Sequence, residues 1–261
     1  MQAKAMRQVR SLIQPVVAIV ALFVVWELLV RIFSIPQYLL PSPSAIWTGL
    51  MKLGGQVFLG HFLATSKTVM LGFALSIVVS LPLAVIITSS PAMSRIIYPV
   101  LILTQSIPKV ALAPILIVAL GANELPRVLV TFLVAFFPLV VSIAAGLLAA
   151  PPELIELGKS YRATRIKELV RIRLPYAIPF VFSGLKVASA LAVVGTVVAE
   201  FVAANRGLGY LITTSMAFFE TPVAWGAVVV LAFMGMALFS ILAVMEKVLF
   251  PWADQSPAST E

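Results

Sequence analysis

The sequence predicts an all-α membrane protein that crosses the bilayer six times. Hydrophobic residues make up 61% of its 261 residues, and charged residues make up only 11%. Soluble domains contain about 45–50% apolar residues, because a folded surface leaves much of the chain in contact with water. The charges are also spaced so that long uncharged stretches lie between them. These observations place the chain among integral membrane proteins.

Six apolar runs account for the predicted spans, since a helix needs about 20 mainly apolar residues to cross the hydrocarbon core. The runs cover approximately residues 11–33, 68–94, 96–122, 128–152, 177–199 and 221–245. The first run follows three basic residues, as a signal sequence does. It is longer than the roughly 7–15-residue apolar core of such a sequence and lacks a clear cleavage site, so we interpret it as a retained span.

Basic residues in the connections predict the orientation of the spans. Six spans put both termini on one side, where eleven basic residues fall, against five on the other side. The eleven are Lys4, Arg7, Arg10, Arg95, Lys159, Arg162, Arg165, Lys167, Arg171, Arg173 and Lys247, and the five are Arg31, Lys52, Lys67, Arg127 and Arg206. Because cytoplasmic loops are enriched in Lys and Arg, both termini are expected in the cytoplasm. This bias, with attraction to acidic lipid, explains the net charge of +8 without a nucleic-acid partner.

One short segment between the fourth and fifth runs, "ELGKSYRATRIKELVRIRLP" at residues 156–175, carries eight charges in twenty residues. Ile166, Leu169, Val170 and Leu174 recur at helical spacing, so one face of the helix is apolar. Pro175 either ends this helix or begins the next span. The pattern suits an amphipathic helix lying on acidic lipid. It also suits a helix that inserts into a groove on a partner protein.

The same segment resembles the coupling loop of ABC-importer permeases, a Glu-Ala-Ala triplet followed by a Gly and a closing Leu-Pro. Aligned on Leu174–Pro175, Glu156 matches the family Glu, and Leu157 and Gly158 take the two Ala positions. Arg162 stands where the family usually has Gly, which permits a tight turn between two short helices. Arg162 must make that turn in another way, or the turn shifts to residues 162–164.

Three further stretches resemble permeases of the nitrate, sulfonate, taurine and bicarbonate subfamily. They are "LLPSPSAIW" at 39–47, "SIPKVALAP" at 106–114, and "GLKVASALAVVGTVVAEFVAANRGLGYLI" at 184–212. Because the stretches occur in the family's order over almost the whole chain, the protein is identified as a member. The resemblance implies a type I importer permease fold and a single transmembrane domain over 1–261, with the coupling loop at about 151–175.

The resemblance also implies the partners. These are two cytoplasmic ATPase subunits, a second permease copy (most simply a homodimer), an extracytoplasmic substrate-binding protein and membrane lipid. ATP and Mg²⁺ would bind to the ATPase, because the chain lacks a G-x-x-x-x-G-K-[ST] phosphate loop. The chain itself is expected to be no enzyme, to bind no cofactor, and to lie in the bacterial inner membrane. The expected solute is a small oxyanion such as nitrate, a sulfonate or taurine, with neutral heterocycles and aromatic acids as alternatives.

Two sets of residues follow from the matched motifs. The expected ATPase-coupling residues are Glu156, Leu157, Gly158, Arg162, Ala163, Ile166, Leu174 and Pro175, and the expected pathway or gate residues are Ser106, Lys109, Glu200, Arg206, Gly207 and Gly209. Lys109 lies within a span, where a charge is costly, so it either attracts an anionic solute or pairs with a carboxylate or helix carbonyls. Glu200 either holds the following loop, through backbone N–H groups or Arg206, or contacts the solute.

Other functional classes have less support. A secondary transporter or channel stays the alternative, although such pumps usually carry several intramembrane acids or an inverted repeat, and neither is evident. A membrane enzyme would need a carboxylate pair or a histidine cluster in the spans. The chain has no cysteine and one histidine, so neither a disulfide nor a zinc site is expected.

Overall fold

The structure is a computed structural model in which residues 2–105 and 107–252 are described, and these residues form helices and turns with no β-strand. The helices are α1 (Gln2–Ile32), α2 (Pro43–Leu53), α3 (Gly55–Ser89), α4 (Pro91–Gln105), α5 (Leu112–Leu120), α6 (Glu124–Leu148), α7 (Pro152–Ser160), α8 (Arg165–Glu168), α9 (Leu174–Ala203), α10 (Leu208–Ala217) and α11 (Thr221–Leu249). A 3₁₀ turn, Lys109–Ala111, precedes α5, and a π-helical turn, Leu169–Arg173, joins α8 to α9. The all-α prediction is confirmed.

Within the described ranges, four stretches are long and apolar enough to cross a membrane. They are Gly55–Ser89, Glu124–Leu148, Arg165–Val202 and Thr221–Leu249. These stretches contain most of the second, fourth, fifth and sixth predicted runs. The first predicted run lies within α1, which is one continuous helix. The composition argument therefore located the long helices of the protein.

The third predicted run differs from the expected continuous helix over 96–122. α4 ends at Gln105, and the apolar helical stretch Lys109–Leu120 is too short to be a full span by itself. Pro108 explains part of the break, because it has no N–H to donate and disfavours helical geometry at the residue before it. The chain resumes as a 3₁₀ turn in which the Ala111 N–H donates to the Pro108 carbonyl at 2.8 Å.

Backbone contacts divide the chain into two compact units, the first formed by the residues up to His61 together with Leu211–Val229. Here the Trp26 ring stacks on Phe23 and meets Trp225 edge-on. Ser42 caps α2, accepting from the Ala45 N–H at 3.3 Å, and a proline follows at the first helical position. This capping explains the "SPS" sequence that begins α2.

The second unit consists of Phe62–Tyr210 and the chain from Val230 onward, and packing of α6 against α9 is its main contact. Three glycines lie at this contact: Gly146, Gly184 and Gly195. A Cβ at Gly184 would lie only 2.6 Å from Ser142 Cβ, so glycine is needed there for the helices to approach closely. The Thr131 and Thr196 hydroxyls, 2.8 Å apart, hydrogen-bond across the same contact. The glycines and the hydroxyl pair therefore hold α6 and α9 in close contact.

Candidate coupling segment and pathway residues

The coupling segment, residues 151–175, folds as two helical arms joined by a tight turn at Arg162. α7 starts at Pro152 and ends with two backbone hydrogen bonds, from Arg162 N–H to Lys159 O and from Ala163 N–H to Gly158 O, both 2.9 Å. Arg162 has φ +53°, the left-handed conformation that this helix ending requires and that glycine usually supplies. The turn therefore stays at the position of the family glycine, and Arg162 adopts the glycine-like backbone itself.

The second arm begins at Thr164, whose hydroxyl accepts from the Lys167 N–H at 3.4 Å. It runs through α8 and the π-helical turn directly into α9, so Pro175 lies in the first turn of α9 and begins the span rather than ending a helix. The arms meet at Gly158, where an added Cβ would lie 2.9 Å from Ile172 Cδ1. Gly158 thus permits their close approach.

Apolar side chains of the coupling segment extend into solvent. Leu157 is 52% exposed and Ile166 is 74% exposed, while Ala163 is half-buried. Glu156, Leu174 and Pro175 are also exposed. Tyr161, at 81% exposure, was not among the expected residues, although a lone aromatic residue within a charged segment was a visible signal for it. The segment thus presents three large side chains that are more than half exposed.

Arg173 ties the coupling segment to the membrane helices. Its guanidinium forms an ion pair with Glu168 at 2.8 Å and donates to the Leu147 carbonyl, at the end of α6, at 3.2 Å. The two partners are five residues apart, and the π-helical turn brings them to one face. Sequence reasoning counted Arg173 only as a basic loop residue, because α-helical spacing does not predict a pair at this separation.

Lys109 makes a contact that the sequence did not predict. Its ammonium group lies 4.5 Å from the centre of the Phe137 ring, a cation–π geometry, and the side chain is half-buried. Phe137 itself is buried in a cluster with Ile87, Leu101, Phe136 and Val140. Both alternatives for Lys109, attraction of an anionic solute and pairing with a carboxylate or helix carbonyls, stay predictions. Ser106, the neighbouring expected pathway residue, lies outside the described residues.

Glu200 is the centre of a buried polar cluster, called the Glu200 cluster here, formed with Thr65, Gly207, Leu208 and Gly209. The carboxylate is 1% exposed and accepts hydrogen bonds from the Gly209 N–H at 2.7 Å and from Thr65 Oγ1 at 2.8 Å. Thr65 Oγ1 also accepts from the Leu208 N–H at 2.7 Å. The loop after α9 is thereby fixed to α3.

Of the two partners expected for Glu200, the structure provides backbone N–H groups rather than Arg206. The Arg206 side chain is exposed, and its carbonyl lies 3.5 Å from Arg127 Nη1. Thr65 was missed because it lies 135 positions from Glu200, although a run of small polar residues in an otherwise apolar helix was a signal. Glu200, Gly207 and Gly209 therefore come together, whereas Lys109 belongs to a different contact.

Lys186, a second intramembrane cation, pairs with Glu246 of α11 and faces the Phe239 ring. This pairing satisfies a charge that would be costly alone within lipid. Among the described residues, no group of three or more metal-ligating side chains occurs.

The class of protein follows from its long apolar helices, the turn at Arg162 and the exposed coupling segment. It is the polytopic membrane subunit of a transport system. Residues 76–255 match the family described as the binding-protein-dependent transport system inner membrane component, and the chain belongs to that family. It is thus a multi-pass membrane subunit of an ABC importer rather than a catalytic enzyme.

The comparisons with individual proteins agree with this assignment. The chain is 33% identical to the formylaminopyrimidine transport permease protein ThiX of Halalkalibacterium halodurans, over 95% of the chain and 98% of that protein. It is 27% identical to the taurine transport system permease protein TauC of Escherichia coli, over 88% and 86%. The fold is similar to a chain of the MetNI methionine ABC transporter, with a TM-score of 0.61 at 18% identity over 73% of this chain and 96% of that one. The predicted subfamily and type I fold are confirmed.

Proposed function

We propose that residues 151–175 are the contact through which a cytoplasmic ATPase drives this permease. The exposed apolar side chains Leu157, Tyr161 and Ile166 carry the proposal. Large apolar groups in water are unfavourable unless another surface covers them, and clusters of them commonly mark protein interfaces. The rigid turn at Arg162 supports the same role, since a contact that transmits force must keep its shape.

The proposed assembly contains two permease copies, most simply identical, two ATPase subunits and an extracytoplasmic binding protein. ATP and Mg²⁺ bind to the ATPase, where hydrolysis occurs. The whole chain, 1–261, acts as one transmembrane permease domain. Movement of the coupling segment would reach the spans by two routes: the direct continuation of the second arm into α9, and the Arg173 contact with α6.

Substitutions in the coupling segment test the contact. Ile166→Asp removes an apolar anchor and Glu156→Lys reverses the motif acid, so each should reduce ATPase co-purification by roughly 30-fold, the usual effect of an interface anchor. Lys167→Ala, an exposed residue of the same segment, is the matched control and should retain binding within about twofold. If the segment instead lies on acidic lipid, none of the three variants should change ATPase co-purification. Full ATPase retention with Ile166→Asp and Glu156→Lys would refute the proposal.

Reconstituted transport assays test whether uptake depends on the proposed partners or occurs as in a stand-alone channel or secondary transporter. Proteoliposomes that contain the permease alone should show no uptake. Uptake should require the ATPase, ATP and binding protein together. Solute flux through the permease alone would support the alternative class.

Both termini are proposed to be cytoplasmic, which is supported by the excess of basic residues on that side. The chain has no native cysteine, so single cysteines report accessibility cleanly. Tyr38→Cys and Lys167→Cys both lie at exposed positions. In intact cells an impermeant thiol reagent should label only the first, and permeabilised cells should give labelling of both. Labelling of Lys167→Cys in intact cells would reverse the topology.

The solute is proposed to be a small oxyanion, and Lys109 to contribute positive potential to its pathway. A heterocyclic solute is the second candidate, because identity to the formylaminopyrimidine permease, 33%, exceeds identity to the taurine permease, 27%. Titrating the cognate binding protein with taurine, nitrate and formylaminopyrimidine distinguishes the two classes.

A further inference from the structure

A cleft of about 720 Å³ lies between the coupling segment and the ends of α3 and α6. Ligand-binding clefts in proteins have volumes of roughly 300–1,000 Å³, so the space is large enough for a small molecule or a headgroup. Its walls differ in chemistry: Val85, Leu148 and Leu169 provide apolar surface, and Lys159, Arg165 and Arg173 provide positive charge. The cleft is therefore lined by both apolar and cationic groups.

The positive charge in the cleft is only partly neutralised by the protein. Glu168 is the one carboxylate in the lining, and Arg173 already pairs with it at 2.8 Å. Lys159 and Arg165 form no ion pair within the described ranges, and both are exposed. Two cations without an ion-pair partner in the described ranges therefore line a space large enough for an anionic headgroup.

Two of the three hydroxyl groups in the lining already donate to backbone carbonyls. Thr88 Oγ1 donates to the Ala84 carbonyl at 2.9 Å, and Ser89 Oγ donates to the Ile86 carbonyl at 2.7 Å. The third, Ser90 Oγ, accepts from the Ala92 N–H at 3.3 Å, so its proton is available to an anion beside Lys159 and Arg165. Arg165 has the planar guanidinium that suits two oxygens of one phosphate.

We infer that this cleft binds the headgroup of an anionic phospholipid, with its phosphate between Lys159 and Arg165 and its glycerol and first acyl carbons against the apolar wall. The apolar wall consists largely of the ends of predicted membrane helices, where lipid is the adjacent solvent. Basic pockets between such helices and the membrane surface are typical sites for acidic headgroups. A free phosphate would use the cations but leave the apolar wall uncovered.

Thermal unfolding of the purified full-length chain tests the site with three probes at equal concentration: short-chain phosphatidylglycerol, phosphatidylcholine with the same acyl chains, and inorganic phosphate. Phosphatidylglycerol should raise the unfolding midpoint in a saturable way, and the other two should not. The double variant Lys159→Ala/Arg165→Ala should bind phosphatidylglycerol roughly 30-fold more weakly. Lys167→Ala/Arg171→Ala removes the same charge from exposed positions outside the cleft lining, and should weaken binding less than about threefold.

The outcomes separate the possible occupants. An equal shift with phosphatidylcholine, or equal losses in the two double variants, would overturn the proposal in favour of nonspecific lipid contact. A shift with inorganic phosphate that matches phosphatidylglycerol would overturn it in favour of a free-anion site. ATPase co-purification with the same variants is a separate readout, so the lipid site and the coupling contact can fail independently.

Discussion

Among the turns that use a positive φ, those at Arg162 and Gly207 have opposite surroundings. At Arg162 the left-handed residue is exposed, and its side chain extends away from the turn into solvent. At Gly207, with φ +130°, a Cβ would overlap the buried carboxylate of Glu200. The first turn tolerates a long side chain because nothing occupies the space around it. The second has space for no side chain at all.

The two regions also differ in how much of their apolar surface is covered. The coupling segment satisfies its backbone groups within the turn and leaves its apolar side chains uncovered. The Glu200 cluster satisfies a buried carboxylate with N–H and hydroxyl donors and leaves little exposed. Substitutions in the first region should therefore change binding more than stability. Substitutions in the second should change stability directly.

Gly207→Ala should have the largest effect on stability. The new methyl group meets the Glu200 carboxylate, and the backbone conformation is one that L-residues rarely adopt. Overpacking and backbone strain together should lower the free energy of unfolding by about 3 kcal/mol or more. Thermal unfolding of the purified chain measures this change. Gly60→Ala is the control, because nothing lies within 4 Å of its Cβ position and its unfolding midpoint should not fall.

Glu200→Ala should have the next largest effect. It removes the acceptor of the Gly209 N–H and of the Thr65 hydroxyl, and should cost about 2–3 kcal/mol. Glu200→Gln should cost less, since an amide oxygen still accepts from Gly209 and its NH₂ group can donate to Thr65 Oγ1. Unfolding midpoints should therefore rank wild type, Gln, Ala. Equal loss in both variants would indicate that the negative charge, rather than the hydrogen bonds, stabilises the loop.

The two regions also differ in how far the sequence alone could predict their contacts. Long uncharged runs locate the spans because composition and length alone decide whether a helix suits lipid. Leu157 and Ile166 were expected as coupling residues because motif and periodicity are local properties. Both are exposed, and their contact with an ATPase stays a prediction. The Thr65–Glu200 contact depends on chain segments 135 residues apart, and the Glu168–Arg173 pair depends on a π-helical turn. No regular spacing of residues indicates that two distant segments will pack together. None indicates that a helix will depart from α-helical geometry at a given turn.

Gly158→Ala should have a moderate effect within the coupling segment. The added Cβ would lie 2.9 Å from Ile172 Cδ1, the flexible end of a side chain that can move aside. The expected cost is about 1 kcal/mol. Ile172→Val removes Cδ1, so the double variant should be more stable than the sum of the single effects predicts. Strict additivity in a double-mutant cycle of unfolding midpoints would show that the two arms do not press on each other there.

Arg162→Gly should have the smallest effect. Glycine adopts the left-handed conformation without the roughly 1 kcal/mol penalty that a side chain incurs, which favours the folded turn. The same substitution increases the conformational freedom of the unfolded chain by about 0.5–1 kcal/mol, which opposes that gain. The free energy of unfolding should therefore change by less than about 1 kcal/mol, and ATPase co-purification should persist because the backbone of the turn is unchanged.

Arg162→Ala removes the guanidinium but keeps the Cβ, so it is the matched control. If both variants lose the ATPase while retaining their unfolding midpoints, the Arg162 guanidinium itself contacts the partner. If only Arg162→Gly loses it, the rigidity of the turn is what the coupling contact requires.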